Sequence, residues 1–226
     1  MVPRTPGRPE VTRHTAFPPA GSPGVVRGLP NASLEPMSHF AREQIMKILA
    51  VVGSLQARSS NKSLVTLASR LARQGTTWTR TELLGELPLY NADIDGDSPP
   101  GAVTRFREEL DQADAIVFAS PEYGHGMPGS VKNALDWIVG TGNLNGKPVA
   151  ATCAAAGPGR GELGLAMLVQ TLKAIDGVVV WNAPIVVPKK SIDPTGVIVD
   201  ASVERAIEEM TSVLVDAIRS RAAAEA

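Results

Sequence analysis

Five short strand-like runs alternate with five amphipathic runs, and this alternation constrains the fold more than any other feature of the chain. The strand-like runs cover residues 48–52, 76–81, 115–119, 147–153 and 178–181. The amphipathic runs repeat apolar residues at helical spacing, as at Val131, Ala134, Leu135 and Ile138. This order predicts an α/β fold: a doubly wound, five-stranded parallel sheet with helices on both faces and strand order 2-1-3-4-5.

Three polar or glycine-rich loops follow the first, third and fourth predicted strands, at residues 53–61, 121–130 and 154–161. These strands are neighbours in the 2-1-3-4-5 order, and ligands bind beyond the carboxyl ends of strands in such sheets. Loop 121–130 holds three glycines, two prolines, a tyrosine, a histidine and a carboxylate, which is more than a simple connection needs. We therefore expect the three loops to form one binding site.

Residues 1–44 differ in composition from the remainder. They contain eight of the 18 prolines, carry a charge of +2 and show no periodic apolar pattern. No continuous apolar segment of a secretory signal is present there, and the prolines argue against an amphipathic transit helix. We interpret residues 1–44 as a disordered or non-native leader, with Met46 as an alternative chain start, and residues 45–226 as the folded domain.

Composition narrows the functional classes. A net charge of -1 gives no overall attraction to nucleic acid or an anionic membrane, and no apolar run reaches the roughly 20 residues of a membrane span. The single cysteine excludes an intrachain disulfide, and three dispersed histidines lack zinc-site spacing, so no metal is expected. These features favour a cytoplasmic protein.

Loop 53–61 carries hydrogen-bonding side chains just before a predicted helix: Ser54, Ser59, Ser60 and Asn61. One such residue suffices to cap a helix, and capping alone remains the simpler interpretation. Free N–H groups and the positive end of the helix dipole also attract anions, which favours a phosphate monoester. The P-loop pattern is excluded because Arg58 stands where it requires glycine.

Three further residues allow alternative roles. Glu122 is either a general acid or a residue that holds its loop by hydrogen bonds, and without a partner carboxylate the first role has little support. His125 either faces solvent or contacts a ligand ring. Cys153 has no nearby base in the sequence, so packing is the favoured interpretation.

Two stretches, residues 124–129 and 159–164, match G-x-G-x-x-G by letter. A dinucleotide fingerprint follows the first strand and has an acidic residue about 20 positions on, and neither stretch meets those conditions. We interpret both matches as chance in a chain with 21 glycines.

No hydrolytic or metal-binding set of residues assembles along the chain, which favours chemistry carried by a bound cofactor. A flavin needs a phosphate cradle, backbone donors along one ring edge and a flat wall, and the three loops offer these. Four groups of residues follow one another within residues 46–220: Gly53–Leu55 with Ser59 and Asn61, then 87–91, then 121–123 with 128–129, and then 132–137. In this order they resemble the motifs of the NAD(P)H-dependent FMN reductase family, whose flavodoxin-like members include quinone, chromate and azo-dye reductases.

The resemblance implies non-covalent FMN, NAD(P)H as co-substrate and a homodimer or homotetramer. Hydride would pass to a small acceptor such as a quinone, free flavin, azo compound or metal oxyanion, with no catalytic side chain because the flavin carries the reaction. The implied cofactor-binding residues are Ser54, Gln56, Ser59, Ser60, Asn61, Pro121, Glu122, Tyr123, Gly124, His125, Ala155 and Gly157.

Three departures from the family pattern affect the site. Gln56 replaces an arginine, Gly124 replaces an asparagine, and residues 154–157 replace a serine-rich loop. The last two leave only backbone contacts to the ring, and Arg58 or Arg160 could substitute for the missing arginine. Two alternatives stay open: a flavodoxin-type electron carrier, which the near-neutral charge argues against, and a flavin-binding regulatory protein without NAD(P)H turnover.

Overall fold

The computed structural model describes residues 45–225. The expectation that residues 1–44 form a leader lies outside this range and stays a prediction. Within it, strands and α-helices alternate along the chain in this order: β1 (Met46–Val52), α1 (Ser60–Arg70), β2 (Thr76–Arg80), α2 (Gly101–Asp111), β3 (Ala115–Ala119), α3 (Gly129–Asp136), β4 (Pro148–Ala155), α4 (Glu162–Ala174), β5 (Val178–Val186) and α5 (Ala201–Glu225). Short 3-10 turns lie at Leu83–Gly85, Ala92–Ile94 and Lys189–Ser191.

The strands form one parallel sheet in the order β2-β1-β3-β4-β5, which confirms the predicted topology. The middle of the sheet is buried on both faces, since all five residues of β3 and residues 48–52 of β1 are buried. Continuous apolar runs are what such central parallel strands require.

Helices cover both faces of the sheet, as expected for a doubly wound fold. On one face, α2, α3 and α4 pack a core that includes Phe106, Phe118 and Trp137. On the other face, α1 and α5 pack a second core that includes Leu64 and Met210. Alternate residues of the central strands β1, β3 and β4 face the two sides of the sheet, so the sheet holds the loops at its carboxyl edge on a rigid base.

Strand β5 is longer than the sequence pattern indicated. It continues to Val186, past Asn182 and Pro184, which interrupt the apolar run. Within the described residues β5 has β4 as its sheet neighbour, so its other edge is unpaired and tolerates a proline. None of the helices between residues 45 and 225 has the length and hydrophobicity needed to cross a membrane.

Candidate functional site

The loops after β1, β3 and β4 meet at the carboxyl edge of the sheet. Backbone hydrogen bonds join their starting points: the Gly53 N–H donates to the Ala119 carbonyl at 2.9 Å, and the Ser120 N–H donates to the Thr152 carbonyl at 2.9 Å. A cavity of about 550 Å³ lies at this edge. Its lining is residues 121–122, 153–158 and 160–161.

Four of the residues that the sequence assigned to a cofactor site line this cavity: Pro121, Glu122, Ala155 and Gly157. Ser59 and Ser60 line a second cavity, which is formed by the first turn of α1, the end of β2 and the connection between β5 and α5. The remaining ones lie in the same three loops but outside both linings: Ser54, Gln56, Asn61, Tyr123, Gly124 and His125.

Close packing at Gly53 fixes the end of β1. A Cβ at this position would lie 2.5 Å from Cγ2 of Val131, a contact that no side chain could make without a shift. The Ser130 hydroxyl donates to the Gly53 carbonyl at 2.8 Å. Glycine here therefore lets the first loop rest directly on the start of α3.

The N-terminus of α1 has free donors. Ser59 occupies the N-cap position with extended backbone angles, yet its hydroxyl makes no capping hydrogen bond. The N–H groups of Ser60, Asn61 and Lys62 have no backbone acceptor within residues 45–225, as is usual for a first turn. No acidic residue lies in that turn, so its positive dipole end is not neutralised.

Asn61 has a structural role that the sequence did not reveal. Its side chain is 3% exposed, and its Oδ1 accepts the Ala154 N–H at 2.9 Å. This bond ties the first turn of α1 to the end of β4. Ser54 is also buried, and its hydroxyl oxygen accepts the Gln56 N–H at 3.4 Å within the loop, while Gln56 itself is exposed.

Residues 123–126 form a tight hairpin after β3. Tyr123 and Gly126 exchange both backbone hydrogen bonds, at 2.9 and 3.1 Å. The two residues between them have positive φ, 57° for Gly124 and 62° for His125, which is the pattern of a type I′ turn. The Tyr123 ring is half exposed and the His125 side chain is 78% exposed, so both lie at the surface beside the cavity.

Glu122 holds this hairpin against α4. Its Oε2 accepts the Gly164 N–H at 2.8 Å, and its Oε1 lies 3.6 Å from Nδ1 of His125. The Gly164 hydrogen bond, followed by the charge interaction with His125, lowers the pKa of Glu122. The carboxylate is therefore ionised at neutral pH and engaged, which favours the loop-holding role over a general acid.

The glycines of 159–164 have packing roles, although the stretch is not a dinucleotide fingerprint. A Cβ at Gly164 would lie 2.9 Å from the Gly126 carbonyl oxygen, so glycine allows the hairpin to contact α4. A Cβ at Gly161 would lie 2.6 Å from Sγ of Cys153, and φ there is 85°. The sequence placed Gly159 and Gly161 in the loop 154–161, but nothing in it indicated these packing contacts.

Cys153 lies beneath Gly161 at the wall of the cavity and is 4% exposed. Burial raises the pKa of its thiol, so the nucleophilic thiolate is disfavoured. Both observations support the packing interpretation.

The loop before α2 is bound firmly to α3. Asn133 Oδ1 accepts the Tyr90 N–H at 2.8 Å, while its Nδ2 donates to the Pro88 carbonyl at 2.9 Å. The Trp137 indole N–H also donates to the Pro88 carbonyl, at 2.8 Å, and the Tyr90 ring packs edge-on against the Trp137 ring. These contacts give a structural reason why the 87–91 and 132–137 motifs occur in the same chain.

Comparison with known proteins places the chain in a family. The model of the NADPH-dependent FMN reductase family matches residues 46–191. A quinone reductase of Pseudomonas putida is 38% identical over 117 residues, which cover 50% of this chain and 62% of that protein, so the match spans less than two thirds of the relative. A 2-hydroxy-1,4-benzoquinone reductase of Burkholderia is 35% identical over 145 residues, covering 62% and 76% of the two chains.

A solved structure agrees with these matches. The flavoenzyme NAD(P)H:(acceptor) oxidoreductase of Paracoccus denitrificans superposes with a TM-score of 0.65 at 26% identity, covering 78% of this chain and 98% of its own. The fold of this chain is therefore that of flavodoxin-like enzymes, and the chain belongs to the NADPH-dependent FMN reductase family.

Proposed function

We propose that this protein is an FMN-dependent oxidoreductase that takes a hydride from NAD(P)H and delivers it to a small acceptor such as a quinone. Family membership and two relatives named for quinone reduction support this activity. The observation that carries it is that the first turn of α1, with its free donors, is tied through Asn61 to Ala154 in the lining of a ring-sized cavity.

The residues present fit the phosphate of FMN. The first turn of α1 offers three N–H groups without a backbone acceptor, and the Ser59 hydroxyl is not used for capping. A phosphate monoester accepts hydrogen bonds and is favoured by the positive end of the helix. Asn61 contributes its amide N–H groups to this set, because its oxygen is committed to Ala154.

The cavity also fits the flat ring system. Small residues form its floor from 153 to 157, so backbone groups can approach a ring closely. Its volume of about 550 Å³ lies within the range of sites for small molecules. When bound, FMN supplies the hydride acceptor and donor that no side chain provides.

The side chains around the cavity position the ligands rather than exchange protons. The ionised Glu122, which lines the cavity, holds on α4 the hairpin that contains Tyr123. Two reactants held in a fixed relative orientation react far faster than free ones. We assign this contribution to the loops around the cavity.

We also propose a cytoplasmic homodimer or homotetramer. Leu163 and Met167 lie one turn apart on α4 and are 58% and 49% exposed, and the half-exposed Tyr123 lies on the neighbouring hairpin. Exposed apolar residues grouped beside a cavity are typical of an interface. Light scattering after gel filtration tests this, and a monomer at micromolar concentration would contradict it.

Anaerobic reduction tests the proposed activity. The FMN-loaded protein should lose its visible flavin absorbance when NADPH or NADH is added, and a quinone should restore it. Restoration through many cycles is expected for a reductase. A loaded protein that neither coenzyme bleaches would instead be a carrier or a regulatory protein, and would refute the proposal.

A further inference from the structure

A second cavity of about 550 Å³ lies against the first turn of α1. Its walls come from this turn, from the end of β2 and from the connection between β5 and α5. Ser60 lines this second cavity, and the next residue, Asn61, bonds Ala154 in the lining of the first. The first turn of α1 therefore connects the two cavities.

Positive charge dominates the second cavity. Four cationic side chains line it, Arg58, Lys62, Arg80 and Lys189, against the single carboxylate of Asp193. Arg80 is partly neutralised by Glu82, whose Oε1 accepts its Nε–H at 2.7 Å. The other three cations have no carboxylate within ion-pair distance among residues 45–225.

The carboxylate of Asp193 is committed to its own turn. Its Oδ1 accepts the Thr195 hydroxyl at 2.6 Å, the Thr195 N–H at 2.8 Å and the Val197 N–H at 2.9 Å. The Thr195 hydroxyl and then the Val197 N–H lower the pKa of Asp193, so it is ionised, and its Oδ1 is engaged within the turn. The cations of the cavity therefore remain available to an added anion.

A further feature points to a nucleotide. Ile192, Pro194 and Val197 give the same cavity an apolar wall. Cations beside an apolar wall suit a phosphorylated nucleoside, whose base stacks while its phosphate is paired.

We propose that this cavity binds the phosphorylated adenosine end of NADPH, with Lys62 and Lys189 pairing the 2′-phosphate. The inference rests on the proposed function, which requires a nicotinamide coenzyme at the adjoining cavity. NADH lacks the 2′-phosphate, so these side chains would favour NADPH. The phosphate of FMN uses the backbone donors of α1, whereas the side-chain cations face the second cavity.

A double variant, Lys62→Gln with Lys189→Gln, tests this assignment against Lys190→Gln, a neighbouring exposed lysine that does not line the cavity. With saturating FMN and quinone, the double variant should raise KM for NADPH about tenfold or more, the effect of losing charge-assisted contacts. KM for NADH should change less than about twofold, since no contact to it is lost. An equal rise for both coenzymes, or no rise, would overturn the proposal.

Calorimetry with 2′,5′-ADP gives a readout that does not depend on turnover. The wild type and Lys190→Gln should bind it alike, and the double variant about tenfold more weakly or worse. Equal binding of 5′-AMP would indicate a free-nucleotide site and contradict the 2′-phosphate assignment. If neither coenzyme reduces the wild type, the proposed function fails, while this titration still decides whether the cavity binds a 2′-phosphate.

Discussion

The substitution Gly164→Ala tests how the hairpin of residues 123–126 is held on α4. An alanine Cβ would lie 2.9 Å from the Gly126 carbonyl oxygen and 3.1 Å from Cβ and Cγ of Glu122. The closest atom belongs to the backbone, so the hairpin or the helix must move to relieve the contact. Gly164 does not have a positive φ, so alanine brings no backbone strain of its own.

The expected magnitude follows from two opposed effects. Overpacking typically costs about 1–3 kcal/mol. Alanine in place of glycine within a helix gains roughly 0.5–1 kcal/mol. The net loss of unfolding free energy is about 1 kcal/mol, which lowers the Tm of a domain this size by roughly 2–4 °C. FMN affinity should also fall, because the displaced hairpin borders the first cavity.

Differential scanning calorimetry measures the effect, with Gly101→Ala in α2 as the matched control. A Cβ at Gly101 meets no atom within 4 Å, so its Tm should stay equal to the wild type or rise. If Gly164→Ala is as stable as Gly101→Ala and binds FMN equally well, close packing of the hairpin on α4 is refuted.

Two further predictions concern named hydrogen bonds. Asn61→Ala leaves the Ala154 N–H without its acceptor and should cost about 1–3 kcal/mol of unfolding free energy. Asn61→Asp keeps the acceptor but should weaken FMN binding more than about tenfold, because it places a negative charge beside the phosphate. Flavin fluorescence titration measures this affinity, and wild-type affinity in Asn61→Asp would contradict the phosphate position. Hydrogen bonds from the hydroxyls of Ser202 and Ser191 lower the pKa of Asp200 to about 2 from its ordinary 3.8. The ionised carboxylate therefore stabilises the folded protein fully above pH 3.8, and this contribution is lost as the pH falls through about 2. Asp200→Asn should therefore lower the Tm at pH 7 but not below pH 2, and a pH-independent difference would show that the charge has no part.

The sequence predicted the sheet topology because each central strand is buried on both faces and leaves a continuous apolar run. It missed the length of β5, because an edge strand accepts polar residues and Pro184 without losing its single ladder.

At the site, the sequence predicted where the three loops lie in the fold, but it did not predict the hydrogen-bond partners of their side chains. The loops lie together because their strands are neighbours, which strand order alone implies. The partner of Asn61 is 93 residues away, and the partner of Glu122 is 42 residues away. Such bonds depend on the final packing of helices, so no local pattern distinguishes a ligand-binding asparagine from one that ties α1 to β4.

The central claim is that the N-terminus of α1 holds the phosphate of FMN beside the first cavity. Isothermal titration of the flavin-free protein with FMN and with riboflavin, which lacks only the phosphate, tests it most directly. FMN should bind with one site per chain and at least about a hundredfold more tightly than riboflavin, since several charge-assisted hydrogen bonds are lost without the phosphate. Equal affinity for the two flavins, or binding of neither, would contradict the claim.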